Sequence, residues 1–256
     1  NKLGDVVHTY SIQQLSPAQL AFTSSTTATA NWPDTRQLRT VRTESHSFNN
    51  SGGVVTNTRV DTAQDEYLNT TSVTNNGDIT AGSPTDETYT FNQFAANRDK
   101  WIVDRPIRTR TWRGTNTAGT IFNWEEFQYD HAPGTVTSAE WSSPAAPTIG
   151  LLTHQRSALN INDTWRWPVT SMEYSPRGQV IKVTDPHNNA ETDPNLKKST
   201  IAGYHAVFGY QTFVDGPLVA DDRIDFTVDP AFGIVLQVDA PNNQITTATY
   251  DWAGRL

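Results

Sequence analysis

The chain has 256 residues, 36% of them hydrophobic and 18% charged, with a formal charge of -8, a pI near 5.1 and a mean hydropathy of -0.57. An acidic balance disfavours nucleic acid and anionic membranes, because neutralising phosphates needs clustered Lys and Arg. The absence of cysteine excludes a disulfide framework and thiolate metal sites, and no run of about 18 apolar residues is present to cross a bilayer as a helix.

Such a text is too polar for a large globular core, yet its 10% aromatic content is too high for disorder. A thin, extensive sheet with one wet face reconciles the two. Helical signals are sparse: Ser16-Pro17-Ala18-Gln19-Leu20-Ala21-Phe22 offers an N-cap and a proline at the first helical position, enough for one short turn. Strand-like alternation runs through residues 101–112, 121–129 and 165–174, bounded by Gly, Pro or Asn clusters. On the first of these, Arg108 and Arg110 share a face, which points to solvated charges or cross-strand ion pairs ahead of an anion site. Glu125 and Glu126 are adjacent and so face opposite ways on a strand, which prevents them from forming a facing carboxylate pair. Stretches 142–147 and 190–199 read as long hairpin loops, because strand-like text resumes soon after each.

Turn chemistry becomes regular in the last third. Tyr174-Ser175-Pro176-Arg177-Gly178-Gln179-Val180 places a turn-forming hydroxyl at Ser175, a preset dihedral at Pro176 and a closing glycine at Gly178. A second kind of turn follows at Asp185-Pro186-His187-Asn188-Asn189, and again at Asp239-Ala240-Pro241-Asn242-Asn243, where Asn tolerates the left-handed region. Residues 179–184 and 234–239 between them are short and β-branched, with Ile234, Leu236 and Val238 on one face of a strand. Asp221 and Asp222 beside Arg223 suggest a loop with a hairpin ion pair. The final residues, Tyr250-Asp251-Trp252-Ala253-Gly254-Arg255-Leu256, read as a hairpin turn closed by Asp251 and Gly254, with Tyr250 and Leu256 on its arms.

These residues resemble the RHS or YD repeat, in which Tyr-Asp-x-x-Gly-Arg-Leu, a strand, Asp-Pro-x-Gly-Asn and a second strand recur. Asp229-Pro230-Ala231-Phe232-Gly233-Ile234-Val235-Leu236-Gln237-Val238-Asp239, followed by Ile245-Thr246-Thr247-Ala248-Thr249-Tyr250-Asp251, is similar to the B and C components of insecticidal toxin complexes and the large RHS proteins. Upstream, Asn76-Gly77-Asp78-Ile79 and Trp101-Ile102-Val103-Asp104-Arg105-Pro106-Ile107 resemble degenerate units. The motif positions are Tyr174, Gly178, Asp185, Pro186, Asp229, Pro230, Gly233, Asp239, Tyr250, Asp251, Gly254, Arg255 and Leu256.

The resemblance implies an all-β chain of antiparallel strands and hairpins, forming a curved sheet that is part of a hollow β-shell. One segment spans 1–256, degenerate over 1–165 and clearer over 166–256. It implies a non-enzymatic structural role in a shell that encloses a toxin or effector polypeptide within a secreted toxin complex, stored in the producing cell before release. Adjoining segments or chains of the same shell, and the enclosed effector, are the implied partners; nucleic acid binding and membrane insertion by this segment are not expected. A repeat that stops before its next strand implies missing neighbours, and an unpaired sheet edge needs covering. The start at Asn1, with no leader ahead of it, puts any signal peptide outside this sequence.

No catalytic, cofactor or metal residue is carried over. Asp229-Pro230-Ala231-Phe232-Gly233-Ile234 resembles the self-cleaving motif of that family only superficially, with one extra residue and ordinary repeat text following. His8, His46, His131, His154, His187 and His205 lack zinc-ligand spacing, no nucleophile elbow or phosphate loop is present, and the loops at 185–189 and 193–195 lack calcium-loop spacing. The alternative is an all-β carbohydrate-binding or adhesion module that uses the eight Trp side chains. Cross-strand packing accounts for those rings more simply, since Trp165 and Trp167, like Phe122 and Trp124, share a face.

Overall fold

The computed structural model describes residues 4–14, 36–49, 51, 53–81, 86–161, 164–186, 199–217 and 222–255. The fold is all-β and antiparallel, and its backbone contacts divide it into two compact units. The predicted helical turn at 16–22 lies outside the described residues, as do His187, Asn188, Asn189 and Leu256.

The first unit is a meander in which each strand pairs with the next: β1 (Gly4–Gln14), β2 (Arg36–Phe48), β3 (Val54–Gln64), β4 (Thr70–Asp78), β5 (Thr88–Phe94), β6 (Pro106–Arg113) and β7 (Ile121–Tyr129). A 3-10 turn at Ile79–Ala81 follows β4. Threonine and other β-formers dominate these strands, and their side chains are mostly half-buried, as a sheet without a thick core requires. β6 begins at Pro106, five residues later than the alternation from Trp101 suggests, because Trp101 adopts φ +55° in a turn that joins Asn97 to Ile102.

One short helix, α1 (Ser138–Ser142), belongs to this unit and ends where the stretch read as a hairpin loop, 142–147, begins. Thr137 caps it: its hydroxyl accepts from the Glu140 N–H, and the Glu140 carboxylate accepts from the Thr137 N–H at 2.7 Å. That reciprocal pair satisfies donors a helix of one turn would otherwise leave open. Its reward is Trp141, only 2% exposed.

The second unit pairs β8 (Leu152–Ser157) with β11 (Val169–Tyr174), then continues through β12 (Val180–Thr184), β13 (Ser199–Tyr204), β14 (Gln211–Asp215), β15 (Ile224–Val228), β16 (Val235–Ala240) and β17 (Gln244–Thr247). β9 (Leu159–Ile161) and β10 (Thr164–Arg166) pair with each other as a separate ribbon. Pro168 therefore separates two strands where the sequence reads as one alternation from Trp165 to Tyr174. Asp239 lies within β16 opposite Ile245, so the turn there is tighter than the sequence implies and consists of Pro241–Asn243, with Asn243 at φ +58°.

Among the described residues the buried hydrophobic side chains are Ile107, Val136 and Trp141. The sheets are held by backbone ladders and cross-strand pairs instead, such as Tyr89 against Trp112 with ring centroids 5.7 Å apart.

Candidate functional site

Four turns share one hydrogen-bonding scheme, and it is built by the residue at the head of the turn. The N–H of the head donates to the carbonyl four residues on: Asn49 to Gly53, Asp65 to Asn69, Ser175 to Gln179 and Asp251 to Arg255, at 2.8 to 2.9 Å. The side-chain oxygen of the head then accepts from the N–H groups two and four residues later. At Asp251 these come from Ala253 at 2.9 Å and Arg255 at 3.0 Å, at Ser175 from Arg177 and Gln179, and at Asp65 from Tyr67 and Asn69. One short polar side chain thus satisfies two donors that no strand can reach. In the three turns described throughout, the residue before the last carries positive φ: Gly178 at +77°, Gly254 at +74° and, without glycine, Leu68 at +69°.

A longer version, with one more residue, occurs twice. Asp229 donates its N–H to the Ile234 carbonyl while its Oδ1 accepts from Ala231 at 2.7 Å and Phe232 at 3.2 Å. His205 donates to Tyr210, and its Nδ1 accepts from Val207 and Phe208, both at 3.3 Å. Gly209 and Gly233 close these turns at +74° and +70°. Tyr210 lies where a side chain on Gly233 would fall, at 2.8 Å from a Cβ placed there.

The tyrosine ahead of a turn head forms the second half of the unit. Tyr174, Tyr204 and Tyr250 immediately precede the head residues Ser175, His205 and Asp251, and Tyr129 immediately precedes Asp130. Each phenol donates to the carbonyl of the first residue of an antiparallel strand: Pro106 of β6 at 2.9 Å, Leu152 of β8 at 2.6 Å, Val180 of β12 at 3.0 Å and Val235 of β16 at 3.1 Å. The hydroxyl clasps the open end of one strand pair just before the chain turns into the next. Tyr250 lies beyond β17, and its ring is held by this bond after the ladder to β16 ends at the Ala248 N–H. Asp130 departs from the turn scheme: at φ +56° its carboxylate gathers the N–H groups of Thr148, Ile149 and Gly150 at 2.7 to 3.0 Å.

Charges are arranged to hold strands together. Arg108 lies opposite Glu126 in the β6–β7 register and pairs with it at 2.7 Å, the Glu126 side chain being 3% exposed. The same carboxylate oxygen accepts from the Trp124 indole at 3.1 Å, and Arg108 also donates to the Trp141 carbonyl at 3.1 Å. Arg110 stacks over Trp124 at 3.8 Å; burial, and then the neighbouring Arg108, lower its guanidinium below the ordinary value. Arg223 pairs with Asp225 at 2.6 Å and lies over the Phe213 ring at 3.9 Å, while Asp221 lies outside the described residues. Hydrogen bonding from Arg223 accordingly holds the Asp225 carboxyl below its usual range. Among the described residues no group of three or more His, Asp or Glu is placed to hold a metal ion.

Of the motif residues, Tyr174, Gly178, Tyr250, Asp251, Gly254 and Arg255 act directly in clasps and five-residue turns, and Asp229 and Gly233 in a six-residue turn. Pro230 contributes the carbonyl that accepts from the Tyr210 hydroxyl at 3.0 Å. Asp185 and Pro186 directly follow β12, and the rest of their turn lies outside the described residues. Sequence reading missed Tyr129, Tyr204, Asp65 and His205; a tyrosine directly before a polar residue at a strand end was the signal for the first two.

No family model matches the sequence, and no match is found among curated proteins. Among solved structures, the chain is similar to part of a Tc holotoxin pore from Photorhabdus luminescens, with 10% identity over 96% of this chain and 16% of that chain and a TM-score of 0.48. It is also similar to part of the TcdB2-TccC3-Cdc42 complex, with 13% identity over 85% of this chain and 13% of that chain and a TM-score of 0.37. A porin-like protein from Bacteroides uniformis gives 11% identity over 81% of this chain and 87% of that chain, at a TM-score of 0.29. The chain spans 13 to 16% of the length of the toxin-complex chains it matches.

Proposed function

We propose that this chain is a non-enzymatic structural segment of an RHS-type shell that encloses a toxin or effector polypeptide in a secreted toxin complex. The observation that carries the reading is the recurring tyrosine clasp across a strand pair at Tyr129, Tyr174, Tyr204 and Tyr250, followed at the last three by a polar turn head. Such a unit buries little by itself and gains stability by adding neighbours, which is the logic of a repeat architecture. Its polar residues are used for turns and its tyrosines for clasps, so its conspicuous side chains serve the wall. The partners on this reading are adjoining segments or chains of the same shell, next to β1 and β17, and the polypeptide enclosed.

The test is to produce the protein with its flanking coding sequence and combine electron microscopy with limited proteolysis. A β-walled compartment that contains this segment in its wall, and a polypeptide resistant to protease until the wall is opened, is the expected result. A free-standing module with no interior, binding glycans on an array through exposed Trp or Phe rings, would establish the carbohydrate-binding alternative instead.

A further inference from the structure

His205 occupies the position that Asp229 fills in an otherwise equivalent turn, and the two side chains do not have the same chemistry. In both turns one side-chain atom accepts from two consecutive backbone N–H groups, Val207 and Phe208 in one, Ala231 and Phe232 in the other. A carboxylate accepts until the pH is strongly acid. An imidazole accepts at Nδ1 only while it is neutral with its proton on Nε2; the imidazolium has N–H at both positions. Protonation would therefore point a third donor at two backbone donors and remove their acceptor.

We infer that residues 205–210 form a proton-sensitive turn, closed when His205 is neutral and opened when it is protonated. The surroundings make the opening consequential. Arg177 of the preceding turn donates to the Val207 carbonyl at 2.9 Å and Gln179 to the Gly209 carbonyl at 2.7 Å. On the other side the Tyr210 phenol donates to Pro230, in the turn headed by Asp229. The turn thus links its neighbours on both sides. The His205 ring is stacked on Phe208, with centroids 5.1 Å apart, and Phe208 on Tyr210 at 5.7 Å. The charged and titratable groups tied to this turn by these contacts are Arg177 from the preceding turn and Tyr210 from its own. Val207 and Phe208 are already 67% and 51% exposed, so opening frees an apolar tip to leave its present position. Histidine is the side chain that changes charge in the mildly acidic range, so the device would respond to acidification that leaves the aspartate-headed turns closed. This inference does not depend on the shell reading.

The experiment is amide hydrogen exchange resolved by NMR at about pH 7.5 and about pH 5.5, on either side of the ordinary histidine range, with rates corrected for intrinsic pH dependence. Protection at Val207 and Phe208 is expected to fall by about tenfold or more on acidification, while Ala231 and Phe232 keep theirs. His205→Asp and His205→Asn, which supply a non-protonating oxygen in this range, should hold protection at both pH values. Long-range 15N spectra of the unsubstituted protein should show the Nε2–H tautomer at neutral pH. Unchanged protection in the unsubstituted protein, the Nδ1–H tautomer, or the same acid loss in His205→Asn would each overturn the inference.

Discussion

A carboxylate as deeply buried as Glu126 is tolerated because its neighbours Arg108 and Trp124 supply donors. Arg108 at 2.7 Å and the Trp124 indole at 3.1 Å share one of its oxygens, and Arg108 in turn reaches the carbonyl of Trp141. Removing one partner strands the other, which is why breaking a buried pair costs more than the pair contributes. Glu126→Ala is expected to lower the stability of the first unit by about 3 kcal/mol, read by urea unfolding followed by tryptophan fluorescence. Glu126→Gln, which keeps an acceptor for the indole, should cost less. That Arg108 and Arg110 share a face follows from a period of two along β6, and cross-strand pairing was the sequence expectation. That Trp141 completes the cluster was not legible, because its burial depends on a single helical turn too short to show periodicity; only Thr137 and Glu140 at capping-box spacing announce it.

At the scale of elements, the turns are the most conservative part of the molecule, and the least glycine-rich copy is the most informative. Asp65 heads a turn identical in bonding to those of Ser175 and Asp251, yet the left-handed position is Leu68 at φ +69° where the others have Gly178 and Gly254. A side chain in that region costs about 1 to 2 kcal/mol, and Leu68 is 43% exposed, so little burial offsets it. Leu68→Gly is expected to raise stability by about 0.5 to 1 kcal/mol after the entropy of the glycine is counted, measured as a higher denaturation midpoint at unchanged slope. The absence of glycine also explains why this turn was missed in the sequence. His205 was missed for a different reason: an imidazole is not read as a turn head until Nδ1 is seen accepting. Asp251 and Gly254 were legible because residue type and spacing both fit a five-residue loop. The Asp251 carboxyl is held below its usual range, first by the Arg255 N–H and then by the Arg255 side chain. Its folded value being depressed, its contribution is full above the unfolded carboxylate range near about 3.9 and is lost as pH falls through the lower folded value. Amide shifts of Ala253 and Arg255 should therefore stay flat through mild acid and move only in strong acid. In Asp251→Asn, with no carboxyl to protonate, that movement should disappear.

At the scale of the whole molecule, the scarcity of buried apolar side chains among the described residues shifts the burden from a core to the strand ladders, and ladders have ends. Among the described residues β1 pairs with β2 alone, and Val6, Val7 and Tyr10 on it are 56%, 47% and 52% exposed. Val6 and Val7 are adjacent and so lie on opposite faces, which leaves neither face to fix a register against an incoming strand. An edge of this length, with an exposed valine on each face and unblocked by lysine or proline, is a template for another strand. In a shell it would be covered by a neighbouring segment; in the isolated chain it is expected to drive self-association. Val7 lies opposite Glu44 in the β1–β2 register, so Val7→Lys places opposite charges across the pair and adds a charge to the open edge at once. The pairing with β2 should survive, since an exposed substitution supported by a cross-strand ion pair changes stability by no more than about 0.5 kcal/mol. Light scattering of the isolated protein as a function of concentration should show self-association reduced in Val7→Lys, with the unfolding midpoint retained. Equal self-association in both proteins would mean that β1 is not the strand through which copies meet, and would move the search for that contact to β17.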